Sequence, residues 1–199
     1  MLIVYIFVEI TNKNHMTMNN LYLIFFVFIY QSVFSQIDNK AFQLEFLKVL
    51  NDYRIENGLN PVKVNVDVQS AAKIQSDYIV STFYNYKDSS LRGNTGHYNP
   101  NYPNPNDRLE SINFNLAESS NVSENVFYFT GGSLNSKSIA EYVKLTFESW
   151  KKSPSHNKNL LNPNITSVGL FLSTKQVKVN VVTYDVYNST LVMIEDNGL

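Results

Sequence analysis

Two histidines carry most of the chemistry open to this 199-residue chain. The chain has no cysteine, which removes thiolate metal sites, Cys nucleophiles and disulfides together. Of its three histidines, His15 falls in an N-terminal segment that precedes the expected domain. His97 stands in Gly-His-Tyr-Asn-Pro and His156 in Ser-Pro-Ser-His. Neither lies on an apolar stripe, so neither reads as an ordinary core histidine. Ser153 followed by Pro154 marks a helix start. His156 is then the third residue of that helix, beside unpaired N–H groups and the positive end of the dipole. That position disfavours an imidazolium and leaves a neutral ring, the form that binds a metal or accepts a proton. Glu124, opening a strand beside a loop, is the acid best placed to point into a cleft. His97, Glu124 and His156 are therefore the candidate catalytic residues, and His97 and His156 the candidate metal ligands.

Other constellations are weaker. No HExxH, Walker loop, GxSxG or calcium-loop pattern occurs. Ser153 and Ser155 read as helix caps, Trp150 as core, and Lys151 and Lys152 as a solvated helix end. Arg108 can pair with a loop carboxylate in either a structural or a functional role. Asn121, Asn164 and Asn188 head N-x-Ser/Thr sequons, which matter only in a glycosylating host. Sixteen Lys and Arg against seventeen Asp and Glu leave a net charge of -1. With no basic excess, nucleic acid is not an expected partner.

The elements that must position these groups follow from composition and periodicity. Hydrophobic residues make up 44% of the chain and aromatics 14%, enough to fill the core of one domain. Leu21 to Tyr30 is an uncharged apolar run, shorter than the roughly 20 residues a membrane-spanning helix needs. Val33-Phe34-Ser35-Gln36 after it suits signal-peptidase cleavage following Ser35. Residues 1–35 are thus expected to be an upstream extension and signal peptide. Residues 36–199 are expected to form a single exported domain without a transmembrane helix, secreted or held in the periplasm or cell envelope.

Within that domain, Asp38 caps a helix over 39–57, with Phe42, Phe46, Val49, Leu50 and Tyr53 at helical spacing and Gly58 at its end. Asn65 caps a second helix, with Val68, Ala71, Ala72 and Ile79 on one face. From Tyr84 to about Ser123 the periodicity fails except for a helical piece at 107–112. Glu124–Thr130 reads as a strand. Ser138 and Glu141 form a capping box before a helix through Val143, Phe147 and Trp150, and a short helix runs from Pro154 to Leu161. Val168–Ser173 and Val177–Tyr187 are expected as antiparallel strands turning at Thr174-Lys175-Gln176, with Leu191–Ile194 as a last edge strand. This order predicts an α+β sandwich.

An ordered series of short motifs then resembles the CAP superfamily of cysteine-rich secretory proteins, insect venom antigens and plant pathogenesis-related proteins. The pieces are Asn51-Asp52-Tyr53-Arg54, Gly58-Leu59-Asn60-Pro61, Ala71-Ala72, Gly96-His97, Asp107-Arg108-Leu109, Glu124-Asn125-Val126, Trp150 through His156, Asn159 through Pro163, and Val168-Gly169. The Ser-Pro-Ser-His form and the lack of cysteine resemble the bacterial branch.

The resemblance implies a three-layer α-β-α sandwich with a small antiparallel sheet between helices. It also implies a cleft with two histidines and two acids, where a divalent ion such as zinc can sit between the histidines. His97, Glu124 and His156 match three of those four positions. The fourth, a Glu three residues after the helix Trp, falls on Ser153, and Glu148 lies on a different helical face. That departure counts against mechanisms needing paired carboxylates.

Relatives of this kind have been assigned lipid or sterol binding, proteolysis and signalling, so the resemblance supplies no single reaction. The first expectation is a secreted binding module holding a divalent ion or a small ligand, lipid or cell-envelope component. The second is a metal- or His/Glu-dependent hydrolase. There His97, His156 and Glu124 supply three zinc ligands, or Glu124 only orients one imidazole. The third is an envelope interaction protein without an active pocket.

Overall fold

The structure, a computed structural model, describes residues 38–82, 96–116, 120–131, 137–179 and 182–195. The expected leader, with His15, lies outside the described residues. Helix α1 (Asn39–Glu56) begins where Asp38 Oδ1 accepts from the backbone N–H groups of Lys40 and Ala41, at 2.9 and 3.1 Å. Two of the orphan donors of the first turn are satisfied this way. Beyond its end, Gly58 takes φ +74°, the left-handed geometry that favours glycine there. The exit through Pro61 runs into a two-residue strand, β1 (Lys63–Val64), too short for a periodic signal. Asn65 Oδ1 then caps α2 (Val66–Thr82) by accepting from the N–H groups of Asp67 and Val68.

Helix α3 (Pro105–Ser111) starts two residues earlier than expected, because Asn104 and Asp107 form a capping box with Pro105 in the first turn. Strand β2 (Asn121–Gly131) also starts earlier, so Glu124 sits inside a strand rather than opening one. The Ser138–Glu141 capping box opens α4 (Ile139–Lys152), and α5 (Pro154–Leu160) follows directly. The C-terminal region departs from expectation. It folds as one long hairpin, β3 (Ile165–Val179) and β4 (Val182–Glu195), whose register runs from Ile165↔Glu195 to Val179↔Val182. Thr174-Lys175-Gln176 is no turn: it lacks Gly, Pro, Asn or Asp, and it continues β3 as a solvated arm. Leu191–Ile194 is no edge strand either, since β4 pairs with β3 on one side and β2 on the other.

The sheet order is β1-β3-β4-β2, with β1 parallel to β3 and the other pairs antiparallel. The expected antiparallel sheet is therefore mixed. Its period of two separates two cores. Leu191 and Met193 of β4 face α1, α4 and α5 through Phe42, Phe46, Leu50, Phe147, Trp150 and Leu160. Val192 and Ile194 face α2 and α3 through Val68, Ala71, Ala72 and Leu109. Helices on both faces make the three-layer α-β-α sandwich. The α2 layer comes very close to the sheet at Gly169, where a Cβ would overlap the backbone of Val68 and Gln69. Ala71 and Ala72, both fully buried, keep the rest of that contact thin.

Candidate functional site

Strand β2 organises the site because it is the edge of the sheet on the β4 side and its consecutive residues turn to opposite faces. Glu124 pairs in register with Val192 and shares its α2 face; Asn125 pairs with Leu191 and shares the α4 and α5 face. Each holds one of the two histidine-bearing segments.

On the α2 face, Glu124 is buried and its two oxygens have different partners. Oε1 lies 2.9 Å from His97 Nδ1. Oε2 accepts from Nη2 of Arg108, a residue with no solvent exposure. Arg108 Nη1 donates to Gln75 Oε1 at 3.0 Å and to the Tyr102 carbonyl at 3.2 Å. Gln75 in turn donates through Nε2 to the carbonyl of Gly96, the residue before His97. Arg108 therefore has the pairing anticipated for it, with a strand carboxylate rather than a loop one. A carboxylate that accepts from a guanidinium on one oxygen offers only lone pairs on the other. The contact fits a His97 ring that donates from Nδ1, which leaves Nε2 as its unprotonated nitrogen.

On the opposite face, Asn125 Nδ2 donates to the carbonyl of His156 at 3.1 Å, and Asn159 Nδ2 donates to Asn125 Oδ1 at 2.9 Å. This clamp seats α5 against the strand edge. It brings the His156 ring to 6.4 Å from the His97 ring, centroid to centroid, with the planes tilted by 53°. The His156 pKa is lowered, first by burial and then by the proximity of His97. The neutral ring expected from the helix dipole is thus favoured, but by a different cause. Ser153 stands at the N-cap of α5 without a side-chain cap bond. Its Oγ is 3.3 Å from that of Ser155, so this pair does not act as the expected cap.

The three candidate residues therefore converge, but not as three ligands of one ion. Among the described residues no group of three or more His, Cys, Asp or Glu is arranged to hold a metal. Glu124 has both oxygens engaged, one with His97 and one with Arg108. Trp150 is core, with no exposure. Lys151 is exposed and rests 4.5 Å above the Tyr53 ring. Gln75 and Asn125 were not visible as site residues from the sequence. Their only sequence signal is position: Asn125 adjoins Glu124, and Gln75 follows Ala71-Ala72 on the buried face of α2.

The sequence model of the cysteine-rich secretory protein family, CAP, matches residues 47–186, which contain His97, Arg108, Glu124, Asn125 and His156. The chain belongs to the CAP family. A CAP relative, the Bacillus subtilis (strain 168) protein YkwD, is 26% identical over 130 residues. That alignment covers 65% of this chain and 42% of YkwD, so the CAP chain spans less than half the length of this relative.

Solved structures similar to this one include three bacterial proteins. A cysteine-rich secretory protein from Staphylococcus aureus subsp. aureus Mu50 has TM-score 0.45 and 18% identity, over 80% of this chain and 40% of that one. An outer surface protein from Borrelia burgdorferi has TM-score 0.48 and 15% identity, over 81% and 98%. An extracellular SCP-domain protein from Bacillus anthracis str. Ames has TM-score 0.46 and 19% identity, over 79% and 41%. Among the described residues of the CAP domain, no helix is long and apolar enough to cross a membrane.

Proposed function

We propose that this CAP domain is an exported binding module whose His97–His156 pair takes a divalent ion, zinc being the natural probe. The observation that carries the reading is the hydrogen bond between His97 Nδ1 and Glu124, which leaves Nε2 free of that contact while the His156 ring stands 6.4 Å away. Metal-bound histidines commonly donate their second ring nitrogen to a carboxylate in this way. Zinc bonds imidazole nitrogen at about 2.0–2.1 Å in a tetrahedral site, so rings 6.4 Å apart must draw together for both to reach one ion. Two imidazoles leave further coordination positions to a small ligand, lipid headgroup or envelope component.

Binding is favoured over hydrolysis because the site lacks a disposable acid. Both oxygens of Glu124 are engaged, and the position where the family's second acid would stand is Ser153. Export rests on the apolar run and cleavage pattern of residues 1–35.

Zinc titration calorimetry tests the reading. The wild-type protein should take up zinc, and His97→Ala combined with His156→Ala should abolish uptake while leaving circular dichroism unchanged. Equal uptake by the folded double variant contradicts the proposal. If peptide or ester cleavage is found and survives both Glu124→Gln and chelation, this group is not its source.

A further inference from the structure

We infer that Arg108 and Gln75 are positioning residues for His97, fixing which ring nitrogen faces outward. The hydrogen bonds close a ring. Arg108 donates to Glu124, Glu124 accepts from His97, the chain passes back to Gly96, the Gly96 carbonyl accepts from Gln75, and Gln75 accepts from Arg108. One guanidinium thus holds His97 at both ends, through its side chain and through the peptide before it. Gly96 takes φ +80°, a left-handed turn suited to glycine, where the loop enters this ring.

The arrangement is more than a way to fill space. Arg108 and Gln75 have no solvent exposure, and a buried ion pair of this kind is often replaceable by apolar residues without loss of stability. The guanidinium is also imperfectly served: its buried Nε has no hydrogen-bond partner among the described residues. Unsatisfied buried donors are rare and call for an explanation. Here Nη2 reaches Glu124 while Nη1 reaches Gln75 and the Tyr102 carbonyl. Orientation of Glu124 is the result. The carboxylate presents Oε1 to His97 as an acceptor, so the ring is held in its Nδ1–H tautomer.

This inference rests on the proposed function only for the ligand that Nε2 would take. The tautomer itself is a property of the metal-free protein and is read by long-range proton–nitrogen NMR correlations at a pH well above the histidine range. The wild-type protein should show His97 as a single Nδ1–H tautomer, and Arg108→Lys should preserve it. Arg108→Gln should give a tautomer mixture and weaken zinc binding by about 10- to 100-fold, as loss of a partner behind a metal-bound histidine does. An unchanged His97 tautomer in folded Arg108→Gln overturns the inference. Should that variant not fold, Gln75→Met, which releases the Gly96 carbonyl while leaving the Glu124 carboxylate in place, should shift the His97 tautomer as well; a single Nδ1–H tautomer persisting there overturns the inference equally. Wild-type protein showing the tautomer but taking up no zinc would retain the positioning role and refute the metal reading; zinc uptake with a tautomer indifferent to Arg108 would do the reverse.

Discussion

Both oxygens of Glu124 are taken up within the protein, one by His97 and one by Arg108. That leaves the two imidazoles held in different ways. His97 is anchored by its ring, whereas His156 is anchored by its backbone carbonyl and its ring is shaped by burial. A consequence appears in the pH dependence of stability. Burial, then the neighbouring His97, lower the His156 pKa in the folded protein below its unfolded value, which is about 6.5. The unfolded chain then binds more protons on the acid side, so this contribution to stability is complete above that value and lost as pH falls through it. Thermal midpoints should therefore fall as the buffer is acidified from mildly alkaline to mildly acidic. In His156→Gln the slope should be shallower; an identical slope would contradict the assigned role of burial at this ring.

At the scale of elements, β2 and Gly169 set the geometry. Asn125 on β2 connects the edge strand to α5 through His156 and Asn159. Asn125→Ala leaves both half-buried partners short of a hydrogen bond, each worth about 0.5–1.5 kcal/mol. Urea unfolding should show that loss, and zinc affinity should fall with it because α5 carries His156. Unaltered zinc affinity alongside the lost stability would separate the clamp from the site. Gly169→Ala forces a methyl into the backbone of α2 at Val68 and Gln69. Overpacking of this kind typically costs about 1–3 kcal/mol, and more where backbone must move; a denaturation midpoint equal to wild type would contradict the close approach.

These elements differ in how far the sequence foretold them. Asp38, Asn65, Ser138 and Pro154 mark helix starts because capping is chemistry within four residues of chain. The continuous C-terminal strands were not legible. Thr174-Lys175-Gln176 is polar for solvent exposure, and local polarity does not distinguish an exposed strand from a turn. The roles of Gln75 and Asn125 depend on partners 21 and 31 or more residues away, which no local pattern reports.

For the whole molecule, the sandwich explains how two distant histidines meet. The loop bearing His97 belongs with the α2 and α3 layer, and α5 bearing His156 belongs with the α1 and α4 layer. Both reach the single strand edge at β2. The layered order was legible from helix and strand sequence because segregation of these elements leaves few packings, and the ordered motifs of the CAP family restricted them further. Mass spectrometry of protein recovered outside the cell or from its envelope should find a mature chain starting at Gln36, and a chain still bearing residues 1–35 would refute cleavage after Ser35.

The convergence of the two imidazoles on one ion is tested most directly by anomalous scattering from crystals soaked in zinc. A single strong peak is expected between the rings, within about 2.0–2.1 Å of one nitrogen of each, with His97 still bonded to Glu124 through Nδ1. No peak there, or an ion held by either histidine alone, would contradict it.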